Sequence, residues 1–208
     1  MKKFATILSK IFDPMVGMAV VLLLALLRSG VSWPITWIWL LVLVGPPIIA
    51  RLKALRHHGL DWDIRDRRRR IVPFVILLAM IACDLVLLKL FAPAAIFRLF
   101  LLFFVWTVGF LFVTAFATKI SGHAAGNALA AGLIILWYGW QWWPVLFIVP
   151  LVGWARVVRR DHTVGQVILG AVYSWGMIVM FQSVILGLDP RIHRTILHWI
   201  PAFAGMTG

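Results

Sequence analysis

The chain has 208 residues, 63% of them hydrophobic, with 20 Lys and Arg against 7 acidic residues and a formal charge of +13. A soluble domain is about half apolar, so a soluble fold is excluded. A transmembrane barrel is excluded as well, because its strands would alternate apolar and polar residues in runs of about ten. In a chain of membrane composition the positive excess fits loops that fix topology and meet anionic headgroups, rather than nucleic acid. The fold class expected is all-α, a polytopic membrane helical bundle of about seven hydrophobic segments. Cys83 is the sole cysteine and lies in an apolar run, which leaves no disulfide framework and no thiolate metal cluster.

The first segment is expected over 11–27. Met1-Lys2-Lys3 opens it like a signal peptide, but Lys10 and Asp13 interrupt the pattern and no small-residue cleavage site follows. A retained first span is the reading. The second covers 33–50, with Pro46-Pro47 bending its end, and a basic loop follows over 51–70. The third covers 71–91, where Pro73 suits a first turn. Asp84 lies within it and is read as paired with Lys89 or neutral, not catalytic. After Ala92-Pro93, the fourth covers 96–118. The fifth runs over 121–143 and ends in the aromatic belt Trp140-Gln141-Trp142-Trp143. Its small residues, with Gly122 and Gly126 four apart, predict a central helix that neighbours approach closely. The sixth covers 144–158 and the seventh 163–187.

Two polar islands interrupt these apolar runs: Lys119-Ile120-Ser121-Gly122-His123 and Arg156-Val157-Val158-Arg159-Arg160-Asp161-His162. Two spans separate the arginines of 65–70 from the first island, and two more separate it from the second. All three stations therefore face one side, together with the N-terminus. That side also carries most of the Lys and Arg, leaving Arg28, Lys89 and Arg98 opposite, and the positive-inside rule makes it cytoplasmic.

Ser121-Gly122-His123 has the form of a helix start, with a serine N-cap and free N–H groups at the positive end of the dipole, a natural phosphate site. Taken alone it also reads as a plain cap with an interfacial histidine. Arg156, Arg159 and Arg160 before His162 supply guanidinium forks suited to phosphate oxygens, and alone they also read as a positive-inside loop.

Together the islands resemble the type 2 phosphatidic acid phosphatases, which share catalytic motifs with vanadium haloperoxidases. That family reads Lys-x6-Arg-Pro, then Pro-Ser-Gly-His, then Ser-Arg-x5-His-x3-Asp. This chain carries Ile120-Ser121-Gly122-His123 and Ala155-Arg156-x5-His162-x3-Gln166, so Ile120 stands for the proline and Gln166 for the aspartate. The first motif is loose: counting back from Pro73 places Arg65 at the lysine and Val72 at the arginine, whereas a slip of two makes Arg70 the ligand.

The resemblance implies a membrane phosphatase acting on a lipid phosphomonoester or diphosphate without metal or cofactor, and the charge asymmetry puts its site at the cytoplasmic face of the inner membrane. It implies His162 as the nucleophile that forms a phosphohistidine, His123 as the general acid, and Gln166 in the orienting position. Arg156, Ser121, Gly122, Lys119 and either Arg65 or Arg70 would bind phosphate. The resemblance covers about 65–187, after N-terminal spans and a basic loop over 1–64. The tail over 188–208, with His193 and His198, looks like a translated interspersed repeat outside the domain. Two alternatives stay open: a non-catalytic relative that binds lipid phosphate or has a structural role, and a magnesium-dependent prenyl or phosphatidyl transferase using Asp61, Asp63 and Asp66.

Overall fold

The computed structural model describes the backbone of residues 1–58 and 71–186, and the side chains of residues 1–53 and 71–182. Arg65, Arg70, the group Asp61, Asp63 and Asp66, and the tail histidines lie outside the described residues. Every regular element among the described residues is helical. The protein is a polytopic helical membrane bundle.

The expected first segment is a single helix, preceded by a further one that was not expected. α1 spans Lys2–Ile11 and α2 spans Pro14–Arg28, broken at Asp13. The break has a local cause: Asp13 has extended backbone, its side chain accepts the Met15 N–H at 3.0 Å, and Pro14 opens the new helix. α1 buries Ala5, Leu8 and Ser9 while Phe4, Ile7 and Ile11 stay exposed. Its packing contacts fall on the last turn of another helix, α7 (Ile148–Val158), with Phe4 against Trp154 and Ala5 and Leu8 against Ala155.

α3 spans Trp33–His58 and runs through Pro46 and Pro47, past its expected end. α4 (Ile71–Phe91) and α5 (Ala94–Phe112) follow, the latter running into a π-helical turn over Val113–Ala117. α6 spans Gly122–Tyr138, ending earlier than expected because Gly139 adopts φ 91°. The tryptophan belt belongs instead to a 3₁₀ stretch, Trp140–Phe147, that leads into α7. α8 spans Val164–Leu186. Six stretches among the described residues are long and apolar enough to cross a membrane. α6, at 17 residues, is at the lower limit of spanning length and makes the seventh.

α6 is the central helix, as its small residues predicted, with eleven buried positions. A Cβ on Gly126 would stand 2.7 Å from the Pro14 side chain, and one on Gly170 of α8 would stand 2.7 Å from the Ser121 carbonyl oxygen. α2 and α6 run side by side in the same direction, since Pro14 meets Gly126 and the Arg28 guanidinium lies 5.6 Å over the Tyr138 ring. The α6·α8 crossing is tied by Ser174, which donates to the Ala125 carbonyl at 2.7 Å and accepts from Trp106 Nε1 at 2.9 Å.

Because the Gly170 contact is with backbone, α8 must move away from α6 to admit a side chain. Gly170→Ala is expected to cost about 1–3 kcal/mol. That lowers the thermal-denaturation midpoint in detergent by roughly 2–10 °C. Gly176→Ala, on the same helix with open space beyond it, is expected to be neutral or stabilising.

Candidate active site

The second island begins where α7 ends. Arg160 adopts φ 60°, the Asp161 N–H donates to the Arg156 carbonyl at 3.1 Å, and the Arg160 N–H donates to the Val157 carbonyl at 2.9 Å. This is a Schellman turn with arginine in the left-handed position usually taken by glycine, at a cost of about 1 kcal/mol. The turn folds Asp161 and His162 back toward the helix end. Asp161 Oδ2 lies 2.7 Å from Arg159 Nε and 3.2 Å from Arg156 Nη1. The acid beside His162 therefore serves the arginines, while Gln166 serves the histidine.

α8 starts with a capping box. The Gln166 N–H donates to Thr163 Oγ1 at 3.3 Å, and the Thr163 N–H donates to Gln166 Oε1 at 3.3 Å. The same Oε1 lies 3.1 Å from His162 Nδ1. A backbone N–H can only donate, so the amide atom facing Thr163 is oxygen, and the Nδ1 that shares it must carry the proton. The Nε2 of a neutral His162 is then a bare lone pair. Glutamine at the aspartate position thus caps α8 and sets the tautomer with one atom.

The two islands are joined by backbone and side chain. The Ser121 N–H donates to the Gln166 carbonyl at 3.0 Å, and Lys119 Nζ donates to the Asp161 carbonyl at 2.9 Å. A surface cavity of about 390 Å³ lies among Lys119, Val157, Arg160, Asp161, His162, Thr163 and Gln166. Its volume falls within the range of small-ligand pockets, and Lys119 and Arg160 bring cationic side chains to its wall.

Of the residues expected from sequence, the structure thus brings Lys119, His162 and Gln166 to one cavity. Arg156, His123, Ser121 and Gly122 do not line it. Arg156 is 1% exposed and connects to the cavity wall through Asp161. Ser121 is buried as the N-cap of α6, its Oγ accepting the Ala124 N–H at 3.3 Å. Gly122 packs on Phe110.

His123, 7% exposed, faces the N-terminal segment. Its Nε2 is 3.9 Å from Asp13 Oδ2, and its ring abuts the Ser9 backbone. Asp13 Oδ1 accepts from Arg51 Nη1 at 2.8 Å, and Ser9 Oγ is 3.2 Å from Arg156 Nη1. Sequence reasoning missed Ser9, Asp13 and Arg51 as site neighbours. The available signal was an acid at a span boundary beside Pro14, one helix turn past a small polar residue on the buried face of α1.

No family model matches the chain, and no solved structure matches it. It is similar to the lipid A 4'-phosphatase of Helicobacter pylori, 41% identical over 64 residues, which are 30% of this chain and 32% of that protein. The chain spans about a third of the length of the curated relative that it matches.

Proposed function

We propose that the protein is a membrane-embedded phosphatase of the type 2 phosphatidic acid phosphatase kind, acting on a lipid phosphomonoester or diphosphate through a phosphohistidine on His162. One observation carries this reading: His162 lines a cationic cavity with its Nδ1–H held by Gln166, which puts the unprotonated, nucleophilic nitrogen at Nε2. The similarity to a lipid A phosphatase supports the same class of chemistry.

The substrate's phosphate is held by Lys119 and Arg160 in the cavity wall, with Arg156 adding its charge from behind Asp161. His162 Nε2 attacks phosphorus as the bond to the lipid oxygen breaks. The motif resemblance assigns the proton donor for that oxygen to His123, at the first turn of α6 and outside the wall of the cavity. Water then attacks phosphorus as the P–N bond breaks, and its proton passes to the neutral His123, so that His162 and the protonated His123 are both regenerated. Gln166 sets the tautomer without contributing the charge an aspartate would add, so the developing imidazolium depends on its other neighbours.

The amphiphile enters sideways between helices, with its headgroup at the charged end of the bundle. That end is the cytoplasmic face of an inner membrane by the positive-inside rule, since Lys119, Arg156, Arg159 and Arg160 gather there.

The test uses purified protein in mixed micelles with phosphatidate, polyprenyl phosphate and polyprenyl diphosphate. Phosphate release from at least one of them, absent in a His162→Ala control, is the expected result. Headgroup binding without release above that control would select the non-catalytic alternative.

A further inference from the structure

The N-terminal helix and its corner with α2 lie far in sequence from both islands, yet they reach the buried side of the site. The corner is pinned to α6. Asn127, one turn past His123, donates from Nδ2 to the Phe12 carbonyl at 2.9 Å and to the His123 carbonyl at 2.8 Å. Pro14 closes on Gly126, where only a glycine leaves room for it. Asp13 is thereby held at 3% exposure, with one oxygen occupied by the Met15 N–H and Arg51. The other oxygen is the one turned toward His123 Nε2.

That ring nitrogen is buried and makes no hydrogen bond among the described residues. A carboxylate 3.9 Å away is too far for a hydrogen bond to a neutral ring, but it attracts a charged one. Arg51 is paired with Asp13 at 2.8 Å. Burial opposes a charge on His123 most strongly, and Arg51 and Arg159 oppose it further, so Asp13 and the Ser9 backbone are the groups that favour it.

We propose that Asp13 is a positioning residue for His123, orienting the ring and favouring its charged form against burial and the nearby arginines, so that the α1–α2 corner is part of the catalytic apparatus. This rests on the reading of His123 as general acid. In the first step the His162 Nε2–P bond forms, the P–O bond to the lipid breaks, and the ring proton of His123 moves to the departing oxygen. His123 is left neutral beside the Asp13–Arg51 pair. The device matters only where the leaving oxygen needs that proton.

The dependence gives a test that a structural role would not pass. Asp13→Asn keeps side-chain volume and the N-cap. kcat/KM, which reports events up to P–O cleavage, is measured for dodecyl phosphate and for 4-nitrophenyl phosphate. Dodecyl alkoxide is a poor leaving group, whereas nitrophenolate departs without a proton. Asp13→Asn is expected to lower kcat/KM for dodecyl phosphate roughly 10²-fold and for the aryl ester less than about threefold. His123→Ala should show the same selectivity.

An unchanged dodecyl rate, or equal losses on both esters, would overturn the role of Asp13. Should Asp13→Asn lose its folded thermal transition, Asp13→Ser retains the cap while withdrawing the oxygen from His123, and the same ratio decides. Wild-type protein that releases phosphate from neither ester would instead overturn the phosphatase reading itself.

Discussion

His162→Ala is expected to lower kcat on lipid phosphate by 10⁴-fold or more, about 5 kcal/mol of transition-state stabilisation. The size follows from the role. A nucleophile that carries the phosphoryl group cannot be replaced by its neighbours, because Lys119 and Arg160 bind oxygen and do not attack phosphorus. The fold should survive the change, since the capping box of α8 between Thr163 and Gln166 closes without the ring. A thermal midpoint within a few degrees of wild type, together with abolished phosphate release, is the expected pair of measurements. Retention of more than about a tenth of wild-type kcat would remove His162 from the mechanism.

Arg156→Ala has the second largest expected effect, and it acts on both stability and rate. The guanidinium is 1% exposed and meets Asp161 Oδ2 at 3.2 Å and Ser9 Oγ at 3.2 Å. Removing one partner of a buried ion pair costs about 3–5 kcal/mol when the other charge is stranded. Here Arg159 remains on Asp161 at 2.7 Å, so the cost should lie at or below the lower end of that range. The rate should fall further, by about 10²–10³-fold, as a buried positive charge behind the phosphate is lost.

Arg156→Lys separates the two effects. It restores a charge but not the planar fork that spans Ser9 and Asp161. Much of the rate should return with the charge, and less of the stability, because the contacts to Ser9 and Asp161 are not fully rebuilt. If Arg156→Lys recovered stability without rate, the positive charge would not be what the rate depends on.

The sequence made the apolar spans and their common polar end legible because both depend on local properties, namely run length and the count of crossings. The central place of α6 was legible in its glycines and alanines, which pack against Pro14 and against α8. Gln166 was legible too, as the residue one helix turn after His162, though its second task in the capping box was not. The helix α1 ahead of the first segment was missed, since its ten residues carry three lysines and no long apolar run. Asp13 and Ser9 were missed for a deeper reason. Their partners lie 110 and 147 positions away, and only the docking of α1 against α7 and of α2 along α6 brings them together. A motif records spacing along the chain, and these contacts have none.

The most direct test of the phosphohistidine on His162 is trapping. Wild-type protein in mixed micelles is given radiolabelled phosphatidate or polyprenyl phosphate, quenched during turnover and kept at alkaline pH, where phosphohistidine survives. The account predicts acid-labile label on the peptide that contains His162, and none on the His162→Ala protein. Phosphate release from wild type with label on any other residue, or with no labelled protein while turnover is under way, would contradict it.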